Sequence, residues 1–183
     1  MKPPRVPLFE FPDAVIHAEE LAVKKHPQFD AAKGGDINAA DRLARDLSRA
    51  GCVETLRSML KELPVELVPI HALETTGVNE IPVALAKLLA RQLKLPCNNS
   101  IVQSNSVGHT GASGFHRLAH QAQFVGEVIA GQQYFLLDDF VGQGGTLANL
   151  VGFICSRGGK VLGEAGTGRG DHSGDEKQTW TRF

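Results

Sequence analysis

The chain reads as an α/β protein, a parallel sheet with flanking helices, preceded by a mainly helical N-terminal region. Three observations predict this. From Val65 onward, short β-rich apolar runs alternate with segments of helical periodicity, the pattern of parallel strands joined by crossover helices. The run Tyr134, Phe135, Leu136, Leu137 is apolar without alternation, as expected for a strand buried on both faces. Apolar residues make up 42% of the 183 positions and charged residues 21%, which suits one domain with a sizeable core.

Taken in order, the first twelve residues hold four of the nine prolines (Pro3, Pro4, Pro7, Pro12) and are expected to form an extended arm. A helix is expected over 13–25, then a linker over 26–36 with Pro27, Gly34 and Gly35 as breakers. Asp36 is a good N-cap for a helix whose apolar face is Ala40, Leu43 and Leu47. Gly51 interrupts it. Val53, Leu56, Met59, Leu60 and Leu63 continue the periodicity until Pro64 stops it.

Residues 65–71 form the first predicted strand. A polar loop over 72–78 leads to Asn79, an N-cap, with Pro82 in the first turn of the next helix. Ile81, Ala84, Leu85, Leu88, Leu89 and Leu93 give that helix its buried stripe. Residues 100–103 read as a second strand, 104–114 as a mobile loop and 116–127 as a helix. Tyr134 to Leu137 is the third strand, 142–146 a glycine-rich turn and 147–156 a helix. A fourth strand begins at 160–162. Residues 164–183 contain no Val, Ile, Leu or Met, and seven of these twenty are charged, so the fourth strand is expected to be cut short. This divides the chain into an arm and helical region over 1–63 (a candidate hood), a core over 64–163 and a polar, flexible tail over 164–183. An unfinished strand would leave the sheet edge beside 160–162 open to another copy, so a homo-oligomer is expected.

Nineteen Lys and Arg against twenty Asp and Glu give a net charge of −1, which argues against nucleic-acid and membrane-surface binding through a basic face. No apolar run approaches the ~18–20 residues of a membrane span, and the N-terminus lacks the apolar core of a signal peptide. Cys52, Cys97 and Cys155 are far apart and odd in number, as for ordinary thiols of a cytoplasmic protein.

The most informative stretch follows the third strand. Tyr134 to Leu137 runs into two adjacent carboxylates, Asp138 and Asp139. Phe140 and Val141 come next, then Gly142, Gln143, Gly144, Gly145 and Thr146, and then a helix. In an open parallel sheet, ligands bind at the carboxyl ends of strands. A glycine-rich turn opening a helix offers backbone N–H groups and the positive end of the helix dipole, which together suit a phosphate. The two carboxylates cannot bind phosphate, but they accept hydrogen bonds from sugar hydroxyls or favour a nearby metal ion. A phosphate cradle beside a diol acceptor suits a ribose 5-phosphate. Neither a dinucleotide-binding fingerprint nor a Walker A loop fits, since Leu147 stands where the first needs glycine and no Gly-Lys-Ser/Thr is present. The bland alternative is a tight turn with two strand-capping acids.

These residues resemble the PRPP-binding signature of type I phosphoribosyltransferases: an apolar run, Asp-Asp, two apolar residues, two small or polar residues, Gly-Gly-Thr. The similarity widens to the competence-associated, ComF-like branch through Leu67, Val68, Pro69 and Ile70, through Gly77, Val78, Asn79 and Glu80, and through the Ala/Leu-rich helix over 84–93. The resemblance covers residues 65–163 and implies a phosphoribosyltransferase-like fold. It implies a pentosyltransferase that moves ribose 5-phosphate between PRPP and a nitrogenous base, usually with Mg²⁺ held mainly through PRPP. By position, Asp138 and Asp139 would hold the ribose hydroxyls, and Phe140 to Thr146 would wrap the 5′-phosphate. Thr75, Thr76 and Gly77 would face the pyrophosphate, together with Arg117 from a flap over 104–121.

Two departures stand out. Gly142 and Gln143 replace the usual hydroxyl residues, and the loop over 71–78 has no Arg or Lys but includes Glu74. A leaving group as negative as pyrophosphate calls for cations, so a second function class stays open: a non-catalytic PRPP- or nucleotide-binding module, regulatory or related to DNA uptake. His116 and His120 have the spacing of a zinc pair, but Arg117 stands where a zincin has its Glu, and no third ligand is evident.

Overall fold

The computed structural model describes residues 14–70, 73–74, 77–105, 121–141 and 145–169. The strand that organises it is the apolar run singled out above. Tyr134, Phe135, Leu136 and Leu137 are all fully buried. On one side, Tyr134 and Leu136 join Val68, Ile70, Leu147, Leu150 and Ile154 in one cluster. On the other, Phe135 and Leu137 join Leu67, Leu56, Leu85 and Leu89. Burying both faces explains the missing alternation.

In chain order the elements are β1 (Ala14–Ile16), α1 (Glu20–Lys24), α2 (Phe29–Lys33), α3 (Ile37–Leu47), α4 (Ala50–Leu60), β2 (Val65–Pro69), β3 (Leu73–Glu74), β4 (Gly77–Val78) and α5 (Ile81–Leu93). They continue with β5 (Val102–Gln103), β6 (Phe124–Val125), β7 (Gln133–Val141), α6 (Gly145–Cys155) and β8 (Lys160–Arg169). Four strands form a parallel sheet in the order β1-β8-β7-β2, with helices packed on it. The fold class expected from the sequence is the one observed. The Asp36 cap is also present, its carboxylate accepting the Asn38 and Ala39 N–H groups at 2.8 and 3.0 Å.

Several expectations need correction. Residues 14–16, read as the start of a helix, are a strand in parallel register with β8 (Ala14 with Glu164, Ile16 with Gly166). Only Glu20–Lys24 of that stretch is helical, and the linker over 26–36 contains α2. The break before α4 falls at Ser48 and Arg49, so Gly51 lies inside the helix. Val102 and Gln103 pair antiparallel with Val125 and Phe124 in a separate ribbon, not in the main sheet. Residues 121–127 are therefore not helical, while 106–120, including His109, His116, Arg117 and His120, lie outside the described residues.

The largest correction concerns the end of the core. β8 continues through Arg169, pairing Leu137 with Ala165 and Asp138 with Gly166, so 164–169 is sheet and not tail. Residues 170–183 lie outside the described residues. The physical reason is close packing. A Cβ on Gly168 would sit 2.9 Å from the Phe140 ring and 3.0 Å from Val23, so a larger residue has no room there. Small residues in this strand mark close approach of neighbours rather than weak burial. β1 pairs with β8 along residues 164–166, so that stretch of the strand is not an open sheet edge. β1 also ties the segment before residue 63 into the core, where Val15 packs with Leu67, Phe135 and Ala165.

Candidate functional site

The carboxyl ends of β2 and β7 lie side by side, because the two strands pair from Val65 with Gln133 to Pro69 with Leu137. The Ile70 N–H reaches the Leu137 carbonyl at 2.8 Å, so the chain leaves β2 next to Asp138. α5 and α6 both begin at this end of the sheet. Residues 71–72 and 75–76, with Thr75 and Thr76, lie outside the described residues, as do Gly142, Gln143 and Gly144. Gly145 and Thr146 form the first turn of α6. Phe140 and Val141 are still in β7, paired with Gly168 and Arg169, so the strand runs further than its apolar stretch.

Asp139 is the centre of a network. Its Oδ2 accepts from Asn79 Nδ2 at 2.9 Å and faces Lys33 Nζ at 3.2 Å. Its Oδ1 accepts the Phe140 N–H at 2.9 Å, and its backbone carbonyl accepts from Thr167 Oγ1 at 2.7 Å. The N-cap of α5 is Glu80 and not Asn79 as expected. Asn79, one residue earlier, still accepts the Ile81 N–H on its Oδ1 at 3.2 Å while its amide group donates to the acid. Helix start and site are thereby fixed by one side chain.

Asp138 accepts the Asp139 N–H at 2.8 Å. Burial above all, then the neighbouring Asp139 carboxylate, and to a lesser extent Glu164, push the Asp138 carboxyl well above the usual carboxylate range. The pair therefore divides its roles, one acid inclined to keep a proton and one tied to a lysine. Glu164, one strand over, is pushed up to about 8 by burial, and its Oε2 is buried without a hydrogen-bond partner. His17, directly after β1, is fully buried, and its N–H bonds the Gly166 carbonyl at 3.0 Å. Neither ring nitrogen has a partner; burial, then the Arg49 charge, lower its pKa to about 4.

Sequence reasoning missed Lys33, Glu164 and His17 as members of this end of the sheet. Lys33 sits beside Gly34 and Gly35 in what reads as a linker, and nothing local links it to Asp139. α2 is carried there by packing. Phe29 meets the Phe140 ring edge-on at 6.0 Å, and the Glu80 N–H reaches the Ala32 carbonyl at 3.2 Å. Gly77, at φ 137°, approaches Gly34 so closely that a Cβ would stand 2.7 Å from its carbonyl oxygen.

Among the described residues, no three His, Cys, Asp or Glu side chains gather as metal ligands. With Asp139 bound to Lys33 and Asn79, and Asp138 inclined to its protonated form, these acids do not fit a protein-built magnesium site.

No family model matches the chain. Protein TraN of Escherichia coli is 39% identical over 158 residues, covering 86% of this chain and 35% of TraN. An uncharacterized protein of Haemophilus influenzae is 40% identical over 145 residues, covering 79% of this chain and 32% of that protein. The chain thus spans about a third of the length of these curated relatives. Among solved structures, an adenine phosphoribosyltransferase from Rhodothermus marinus is similar at TM-score 0.40 and 14% identity, over 64% of this chain and 66% of that one. A hypoxanthine phosphoribosyltransferase from Staphylococcus aureus gives TM-score 0.42 and 16% identity, over 70% and 61%. The adenine phosphoribosyltransferase of Leishmania tarentolae gives 0.42 and 12%, over 86% and 78%. The likeness in structure is distant.

Proposed function

We propose that this domain binds PRPP at the carboxyl end of β7 and transfers its ribose 5-phosphate to a nitrogenous base. The observation that supports this best is the placement of Asp138 and Asp139 between the exit of β2 and the start of α6. Acceptors for two sugar hydroxyls stand directly before a helix N-terminus whose amide groups and dipole attract a phosphate. In this reading the 5′-phosphate is held by Gly142 to Thr146, and the ribose hydroxyls donate to Asp139 and Asp138. The sugar is thereby fixed with C1′ open. The base nitrogen bonds to C1′ while the C1′–O bond breaks, and the electron pair leaves with pyrophosphate. Magnesium, as the resemblance implies, would arrive on the diphosphate oxygens of PRPP.

A second reading has one feature in its favour, the absence of Arg and Lys from residues 71–78. It is PRPP or nucleotide binding without turnover, in a regulatory or DNA-uptake-related module of the ComF-like kind. Release of pyrophosphate from PRPP across a panel of purine and pyrimidine bases separates the two. Base-dependent release supports the transferase, and binding without release supports the module.

A further inference from the structure

The leaving diphosphate needs a cation, and the loop after β2 carries none in its sequence. We infer that Lys33 of α2 is that cation, a side chain that pairs with Asp139 and turns to the diphosphate when PRPP binds. This rests on the proposed PRPP site and deepens it.

Three observations place Lys33 between the two halves of such a ligand. Its ammonium is 3.2 Å from Asp139 Oδ2, on the sugar side. The residues that follow it, Gly34 and Gly35, lie against Gly77 and Val78, which end the loop expected to face the diphosphate. That backbone approach is held by the Glu80 N–H to Ala32 carbonyl bond, so the end of α2 cannot drift from the loop. Lys33 is also only partly exposed, at 26% of its side chain, which strengthens its attraction for an anion relative to a solvated lysine.

The ion pair with Asp139 has a physical purpose in this scheme. Asp139 is buried and would be costly to leave uncompensated. Lys33 neutralises it. When PRPP arrives, Asp139 takes the sugar hydroxyls and Asn79 stays as its donor, freeing the ammonium to turn toward phosphate oxygens. In the bound state hydrogen bonds from Asn79 and the sugar hydroxyls take the place of the ammonium at Asp139, and the diphosphate becomes the counter-charge of Lys33.

The test is isothermal titration of three probes into the full chain: Mg²⁺-PRPP, inorganic pyrophosphate and ribose 5-phosphate. Lys33→Met is expected to weaken PRPP and pyrophosphate binding by about ten- to a hundredfold, the size of one lost charged hydrogen bond. Ribose 5-phosphate should stay within about twofold. Lys33→Arg should restore PRPP binding to within about tenfold of wild type. Lys33→Gln replaces the Met variant if thermal melting shows that the latter is unfolded. Equal losses for all three probes would mean that Lys33 only holds Asp139 in place, and would overturn the inference. So would unchanged PRPP binding. Wild-type protein that binds none of the probes would defeat the PRPP reading itself, and the wild-type titration separates that failure from the others.

Discussion

Substituting Gly166 by Ala tests the packing of the strand on which the site leans. Gly166 pairs with Asp138, and an added Cβ would stand 2.8 Å from Val141 Cγ2. It would also stand 3.1 Å from the Asp138 carbonyl oxygen and from the Val141 amide nitrogen. The methyl group of Val141 can rotate away, but the two backbone atoms can yield only if β7 itself moves. Overpacking of this kind costs roughly 1–3 kcal/mol, and the backbone partners place this case at about 2–3 kcal/mol. For a chain of this size each kcal/mol is worth about 2–4 °C, so the melting temperature should fall by roughly 4–12 °C. Differential scanning calorimetry with matched urea midpoints reads the effect. An Ala variant as stable as wild type would refute the packing argument, and with it the claim that residues 164–169 form a buried strand.

Two further outcomes follow from the same physics. Gly51→Ala, at an exposed helical position where a Cβ meets nothing within 4 Å, should stabilise the protein by up to about 1 kcal/mol in urea denaturation. The opposite sign from Gly166→Ala on identical chemistry makes the two a matched pair. Glu164 governs alkaline stability: its folded pKa, about 8, lies above its ordinary value of 4.5, so the folded state binds the extra proton and stability falls as pH rises between them. His17, lowered from 6.5 to about 4, acts in the opposite sense and its contribution is complete above pH 6.5. Between pH 6.5 and 8 Glu164 therefore acts alone of these two, removing about 2 kcal/mol. Glu164→Gln should flatten that fall in urea midpoints measured across this window, and an unchanged slope would show that Glu164 is not held protonated.

Much of the fold was legible wherever the signal was local. The unbroken apolar run of β7, the stripe of α5 between Pro82 and Leu93, and the Asp36 cap each state their structure within a few residues. β1 was not legible because three residues carry too little pattern, and its partner lies at residues 164–166. β8 was misread for a different reason. Its glycines and Thr167 look like chain that cannot be buried, yet they are small because Phe140, Val141 and Val23 fill the space beside them. The site divides the same way. Asp138 and Asp139 declare themselves by position before a glycine-rich helix start. Lys33 and Asn79 reach them only through tertiary packing, and no spacing in the sequence connects residue 33 or 79 with 139.

The central claim is that a ribose 5-phosphate ester is held at the carboxyl end of β7 by its acids. Calorimetric titration of Mg²⁺-PRPP into wild type and into the Asp138→Asn, Asp139→Asn double variant tests it most directly. The charge-assisted hydrogen bond to Asp139 would become a neutral one, about half as strong, so the double variant should bind at least about tenfold more weakly. Equal affinity in the two proteins would contradict the claim and place the ligand elsewhere.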